Sequence, residues 1–216
     1  LDGHTLEMQV ADHTTPELQT VFSKSLTLQG IGPDILRPGL DTGTSGDARG
    51  WFLIPLGKTV TFDNLIFDGT GRLVHTGIRN HGTLTVTNCA FTELKYQASG
   101  SPYIGIAISH FGSGGAPATI TDCTFSEIGR LGIHVFEPTT IERCTYTGKG
   151  PGDWLDYFID MNSFGASVGL LTMNECTVSR NRGVAVSDGS SSAGLLITTF
   201  FGPGTDATIT NSCFVD

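Results

Sequence analysis

Three residues form a set that could move protons and hold an anion: His134, Asp160 and Arg79. An imidazole held by a carboxylate on a neighbouring strand is the arrangement of a tuned general base. Arg79, two rungs from His134, would neutralise a carboxylate on a substrate. Each of the three follows the same short apolar phrase, in Gly77-Ile78-Arg79, Gly132-Ile133-His134 and Phe158-Ile159-Asp160. Gly105-Ile106-Ala107-Ile108 and Gly183-Val184-Ala185-Val186 read as further copies, which adds Ala107 and Ala185 to that outward column. The next outward column is then His81, Ser109, Phe136, Asn162 and Ser187, a candidate ligand-binding rim. Outward positions are polar in any strand array, so a neighbouring His and Asp also arise without chemistry. Asp153 and Asp156 lie close together in a turn and suggest calcium, although a solvated acidic turn accounts for them better.

The elements that must position these groups are set by a column of threonines. Seven segments share an apolar-Thr-apolar core: Leu26-Thr27-Leu28, Val60-Thr61-Phe62, Leu84-Thr85-Val86, Ala118-Thr119-Ile120, Thr139-Thr140-Ile141, Leu171-Thr172-Met173 and Ala207-Thr208-Ile209. A constant strand at variable spacing predicts stacked coils with loops inserted between them. Alternation of apolar and polar residues predicts one buried face. Asn64, Asn88 or Asn211 follows the strand, with Asp122, Arg143 and Glu175 in other copies. Asn tolerates left-handed backbone angles, so a sharp bend is expected there. Beyond it, Cys89 and Phe91, Cys123 and Phe125, Cys144 and Tyr146, and Cys176 and Val178 share one parity and predict a second inner wall.

Composition narrows the classes. The 216 residues carry 21 acidic and 12 basic side chains, a net charge of −9, with no basic cluster, which argues against nucleic-acid binding. No apolar stretch approaches the roughly 20 residues of a membrane-spanning helix, so membrane insertion is not expected. Gly is 29 of 216, a turn-rich balance suited to many short strands. Four of the five cysteines repeat with the coil rather than with a zinc spacing. They read as a column of small apolar side chains inside the coil, with disulfides between neighbouring rungs as the alternative. Three inserts, at 110–117, 162–169 and 188–206, leave one corner and predict a loop rim. The last carries Phe200-Phe201, either tucked on the coil or exposed.

The phrases Ser25-Leu26-Thr27-Leu28-Gln29-Gly30-Ile31-Gly32-Pro33-Asp34 and Gly77-Ile78-Arg79-Asn80-His81-Gly82-Thr83-Leu84-Thr85-Val86-Thr87-Asn88-Cys89 resemble right-handed parallel β-helix proteins of the pectate-lyase-like superfamily. Within it the chain looks most like bacterial surface and secreted β-helices, including polymorphic outer-membrane-type passengers. The resemblance implies that any enzyme would work on the outer face of the strand carrying His134. Calcium-dependent pectate lyases resemble a cluster of Asp on successive rungs, whereas only Asp160 stands in this column. Polygalacturonase motifs are met only by Asn80-His81-Gly82, an ordinary turn. Thr85/Thr87, Thr119/Thr121 and Thr208/Thr210 resemble an ice-binding array, which Asp63 and Glu142 in the second column interrupt.

The expectation is an all-β, right-handed parallel β-helix of about eight three-stranded rungs forming one domain over 1–216. Lacking an initiating Met, the chain reads as a mature or excised segment whose open ends meet further rungs or stack end to end as a homo-oligomer. The expected function is an extracellular or cell-surface scaffold that binds polysaccharide or a surface protein. The alternative is a polysaccharide lyase or glycoside hydrolase using His134, Asp160 and Arg79.

Overall fold

A computed structural model describes residues 2–9, 11–97, 104–111, 114–150, 154–162, 169–183, 191–198 and 204–215. The threonine strands stack in parallel, in the register their sequence demands. Thr27, Thr61, Thr85, Thr119, Thr140, Thr172 and Thr208 pair in one unbroken ladder, which Thr5 on His4–Met8 extends by one. Parallel strands cannot be joined by tight hairpins. Here each returns to its neighbour only after the chain has wound once around, which makes the molecule a parallel β-helix. Among the described residues the one helical element is a 3-10 turn, Gly46–Arg49.

The corners take left-handed angles, readily at Asn and Asp and against local preference at Arg143 and Glu175. Asn64, Asn88, Asp122, Arg143, Glu175 and Asn211 all have φ between 50° and 56°. The last five turn the threonine strand into a short third-wall strand, Ala90–Thr92, Thr124–Ser126, Thr145–Thr147, Thr177–Ser179 and Cys213–Val215, whereas Asn64 bends within the longer strand Thr59–Asp68. A second left-handed corner follows at Glu93, Glu127 and Arg180, with φ of 53° to 59°. Charged residues at these corners leave their side chains in solvent, as between Arg143 and Asp122, where a guanidinium nitrogen lies 2.8 Å from the carboxylate.

The interior is dry. Val86, Ile120, Ile141 and Met173 lie over one another and are fully buried. Phe67, Phe91 and Phe125 stack face to face, with centroids 4.6 and 5.0 Å apart. Burying each such ring contributes roughly 1.5–3 kcal/mol. Cys89, Cys123, Cys144 and Cys176 form the expected inner column as free, buried thiols. Cys123, Cys144 and Cys176 each reach a carbonyl of the previous rung at 3.6–3.8 Å. Hydrogen bonding to the adjacent thiol, with burial, pushes Cys144 up to about 12 and raises Cys176 too. Such thiols are packing elements rather than nucleophiles.

A second sheet carries the candidate chemistry. It runs Thr20–Val21, Gly50–Ile54, Thr76–Asn80, Ile106–His110, Leu131–Val135, Tyr157–Met161 and Ala193–Ile197. Two sequence expectations fail here. Ser109, not Ala107, pairs with Arg79 and His134. The reason is that Gly105 acts as a hinge at φ 154°, and Ile106 joins Leu131, Tyr157 and Trp154 in a separate apolar cluster. With apolar residues at both 106 and 108, alternation fits either frame. The strand beside Tyr157–Met161 is Ala193–Ile197, which puts Leu196 opposite Asp160. The stretch 188–206 is therefore not a plain insert. Ala185, Ser187 and Phe200-Phe201 lie outside the described residues.

Candidate functional site on the second sheet

The outward column of this sheet reads Leu53, Arg79, Ser109, His134, Asp160 and Leu196 from one rung to the next. His134 and Asp160 are direct neighbours, as the spacing predicts, with Nε2 and Oδ2 3.9 Å apart. Their side chains are 19% and 18% exposed, so desolvation dominates. Burial pushes His134 down to about 3, helped by the positive charges of Arg79 and Arg130. Burial pushes Asp160 up to about 6, against the pull of Arg130 and of Asn162. Asn162 Nδ2 donates to Asp160 Oδ1 at 2.7 Å and stands 3.5 Å from His134 Nε2. At neutral pH the pair is a neutral imidazole beside a carboxyl close to its titration point.

Arg79 stands two rungs from His134, as its spacing predicts. Ser109 occupies the rung between, which puts Arg79 and His134 about 10 Å apart along the axis. Its Nε donates to Asp47 at 2.8 Å, and its guanidinium lies 5.3 Å from the centre of the Phe111 ring. The Arg79 hydrogen bond holds the Asp47 carboxyl below its usual range, with His81 contributing. Ser109 itself is sealed, at 2% exposure.

The second outward column brings aromatic rings together. His81 and Phe111 meet edge to face at 6.1 Å, as do Phe111 and Phe136 at 4.5 Å, and Phe136 and His134 lie tilted at 4.2 Å. His81 Nε2 also lies 2.9 Å from Asp47 Oδ1, and its Nδ1 3.1 Å from the Phe111 carbonyl oxygen. Asn162 continues the column and accepts from Thr198 Oγ1. Of the expected rim, His81, Phe136 and Asn162 therefore share this face, Ser109 stands one column inward, and Ser187 lies outside the described residues.

The suggested calcium turn reads differently in space. Asp156 is fully buried, and its Oδ2 accepts from Tyr146 Oη at 3.2 Å and the Lys149 amide at 3.0 Å. Asn181 Nδ2 donates to its other oxygen at 3.2 Å. A carboxylate with its lone pairs taken by three donors staples a turn and has little left for a cation. Asp153 lies outside the described residues. Among the described residues no group of three or more His, Cys, Asp or Glu converges on a metal-sized space.

Sequence reasoning missed two members of the face. Asp47 arrives from the 3-10 turn 32 residues before Arg79, with no periodic signal. Phe111 was assigned to an insert, although its place after His110 matches that of Phe136 after Val135. His110 was missed as well. It is buried inside the coil, held by Asn80 at 2.8 Å and by the Ala116 carbonyl at 2.9 Å, and burial pushes it down to about 4. Among the described residues no helix is long and apolar enough to cross a membrane. No family model matches the chain, and no curated protein matches it.

Proposed function

We propose that the protein is a non-catalytic, extracellular or cell-surface β-helix scaffold that binds a glycan on the outer face of the second sheet. One observation carries this reading. Arg79, two rungs from His134 as its spacing predicts, is engaged by Asp47, which commits its guanidinium to a turn of the chain itself. What remains is the partly exposed ring of Phe111, backed by the buried Phe136 ring and by His134 and edged by hydrogen-bonding groups. Such a surface suits sugar rings, which stack their C–H faces on aromatics and bond through their edges. The resemblance to secreted and surface β-helices of the pectate-lyase-like superfamily supports the compartment. Stacking of one copy on the end of another is a further part of this reading.

The test is a panel of neutral and acidic glycans, scored for both binding and turnover with and without calcium. Binding without turnover, weakened by Phe111→Ala, is the expected result. A panel with no binding at all would overturn it.

A polysaccharide lyase or hydrolase is the second reading. It is favoured by Asp160, whose carboxyl is held up to about 6 beside a neutral imidazole, a fitting pair for acid and base roles. Turnover abolished by both His134→Ala and Asp160→Asn would establish it.

A further inference from the structure

Asp47 places a single carboxylate oxygen against two donors at once. Arg79 Nε is 2.8 Å from Oδ1, and His81 Nε2 is 2.9 Å from the same atom. The two sides of this contact differ in burial. The Asp47 side chain is 52% exposed, whereas Arg79 and His81 are 16% and 20% exposed. The donors thus belong to the wall of the coil, and the carboxylate is laid on them from outside. The turn that carries it has its own supports. Gly43 N donates to Ala48 O at 2.8 Å, Arg49 Nε to Thr44 O at 2.9 Å, and Gln19 Nε2 to Gly50 O at 2.9 Å. A Cβ on Gly50 would lie 2.7 Å from the Arg79 Cβ, so glycine there lets the turn run close over the arginine.

We propose that Asp47 is a built-in competitor, filling from within the chain a position shaped to receive the carboxylate of a sugar acid. The reading rests on the glycan-binding face proposed above and adds its regulation and ligand class. Arg79 and His81 supply two charge-compatible donors to one acid group. The Phe111 ring, partly exposed and 5.3 Å from the guanidinium, adds apolar area at the edge of the same position. A carboxylate alone uses only the donors, whereas a sugar acid uses donors and ring together. Ligand binding then requires Asp47 to give up its two bonds, so affinity for an acidic sugar is held low until the carboxylate is displaced.

The test compares wild type with Asp47→Ala in NMR titrations against sialyllactose beside lactose and glucuronate beside glucose. The expected result is about tenfold tighter binding of at least one acidic sugar to Asp47→Ala, the scale of one charge-assisted contact regained, with its neutral parent unchanged. The acidic sugar that gains shows which acid the position takes. Adding Arg79→Gln to Asp47→Ala should cancel the gain. A melting curve within a few degrees of wild type shows that the turn is intact, and Asp47→Asn, which keeps the shape, gives a second readout in the same direction.

Unchanged affinity for both acidic sugars, with neutral sugars still bound, would overturn the competitor and leave the binding face standing. A gain equal for neutral and acidic sugars would overturn it as well. A gain reproduced by a glutamate-rich peptide and absent for both sugars would overturn the ligand class. Loss of all sugar binding in every variant, wild type included, would overturn both proposals.

Discussion

The outer face of the threonine sheet and the outer face of the second sheet sit on the same coil, yet they are written differently. On the first, one residue type repeats at eight paired positions from Thr5 to Thr208. Hydroxyls there meet their own kind across rungs, as Thr121 Oγ1 does with Thr87 Oγ1 at 3.4 Å in the adjoining column. On the second, six successive positions read Leu, Arg, Ser, His, Asp and Leu. A β-branched hydroxyl satisfies a strand and water together. Stacking alone therefore explains the uniform face. It does not call for a desolvated acid and an imidazole side by side, which cost stability wherever they are ionised. The contrast separates residues that build the coil from residues that use it.

The largest expected effect tests whether both faces depend on one shared interior. Phe125→Ala removes the end of the Phe67-Phe91-Phe125 stack and should cost about 3–5 kcal/mol in urea unfolding. A cost under about 1 kcal/mol would mean that the walls stand independently.

The next effect sharpens the contrast through pH. Folded His134 resists protonation down to about 3, against an ordinary value of 6.5. The stability supplied by its neutral form is complete above that ordinary value and is lost as pH falls toward about 3. Folded Asp160 keeps its proton up to about 6, against 3.8 ordinarily. Its contribution is complete below the ordinary value and is lost as pH rises through about 6. The two trends oppose each other in the wild type between roughly pH 4 and 6.5. In His134→Gln only the second survives. Stability relative to wild type should therefore rise by about 3 kcal/mol between pH 7 and pH 4, read from urea midpoints. A difference that stays constant with pH would show that the pair is as well solvated as the threonines.

The smallest effect concerns the uniform face. Thr119→Val keeps the branched shape between Thr85 and Thr140 and should change stability by less than about 0.5 kcal/mol. A loss above about 1 kcal/mol would give the hydroxyl ladder a bonding role and blur the distinction.

The two faces were also unequally legible in the sequence. The threonine strands and their bends could be read residue by residue, because each bend lies at a fixed offset from an apolar-Thr-apolar core and Asn at three of the six marks the φ that Asp122, Arg143 and Glu175 share. The second sheet gave weaker signals. Apolar residues at both Ile106 and Ile108 let Ser109 slip by one column. Gly183-Val184-Ala185-Val186 and Ala193–Ile197 are both apolar runs of strand length, and only pairing with Tyr157–Met161 singles out the second. His134 and Asp160 were found because neighbouring rungs bring like positions together. Asp47 was not, because it comes from an irregular turn whose place depends on hydrogen bonds such as that from Gly43 N to Ala48 O. Periodicity encodes what repeats, and the contact that ties Arg79 to Asp47 occurs once.

The sulfur column has a practical consequence. Four thiols are sealed inside the wall while Cys213 is exposed. A maleimide dye added to the native protein should attach at Cys213 alone, giving a single spectroscopic handle without mutagenesis. Modification of the other four would then count coils that have come apart, and their order of labelling would report where unravelling begins.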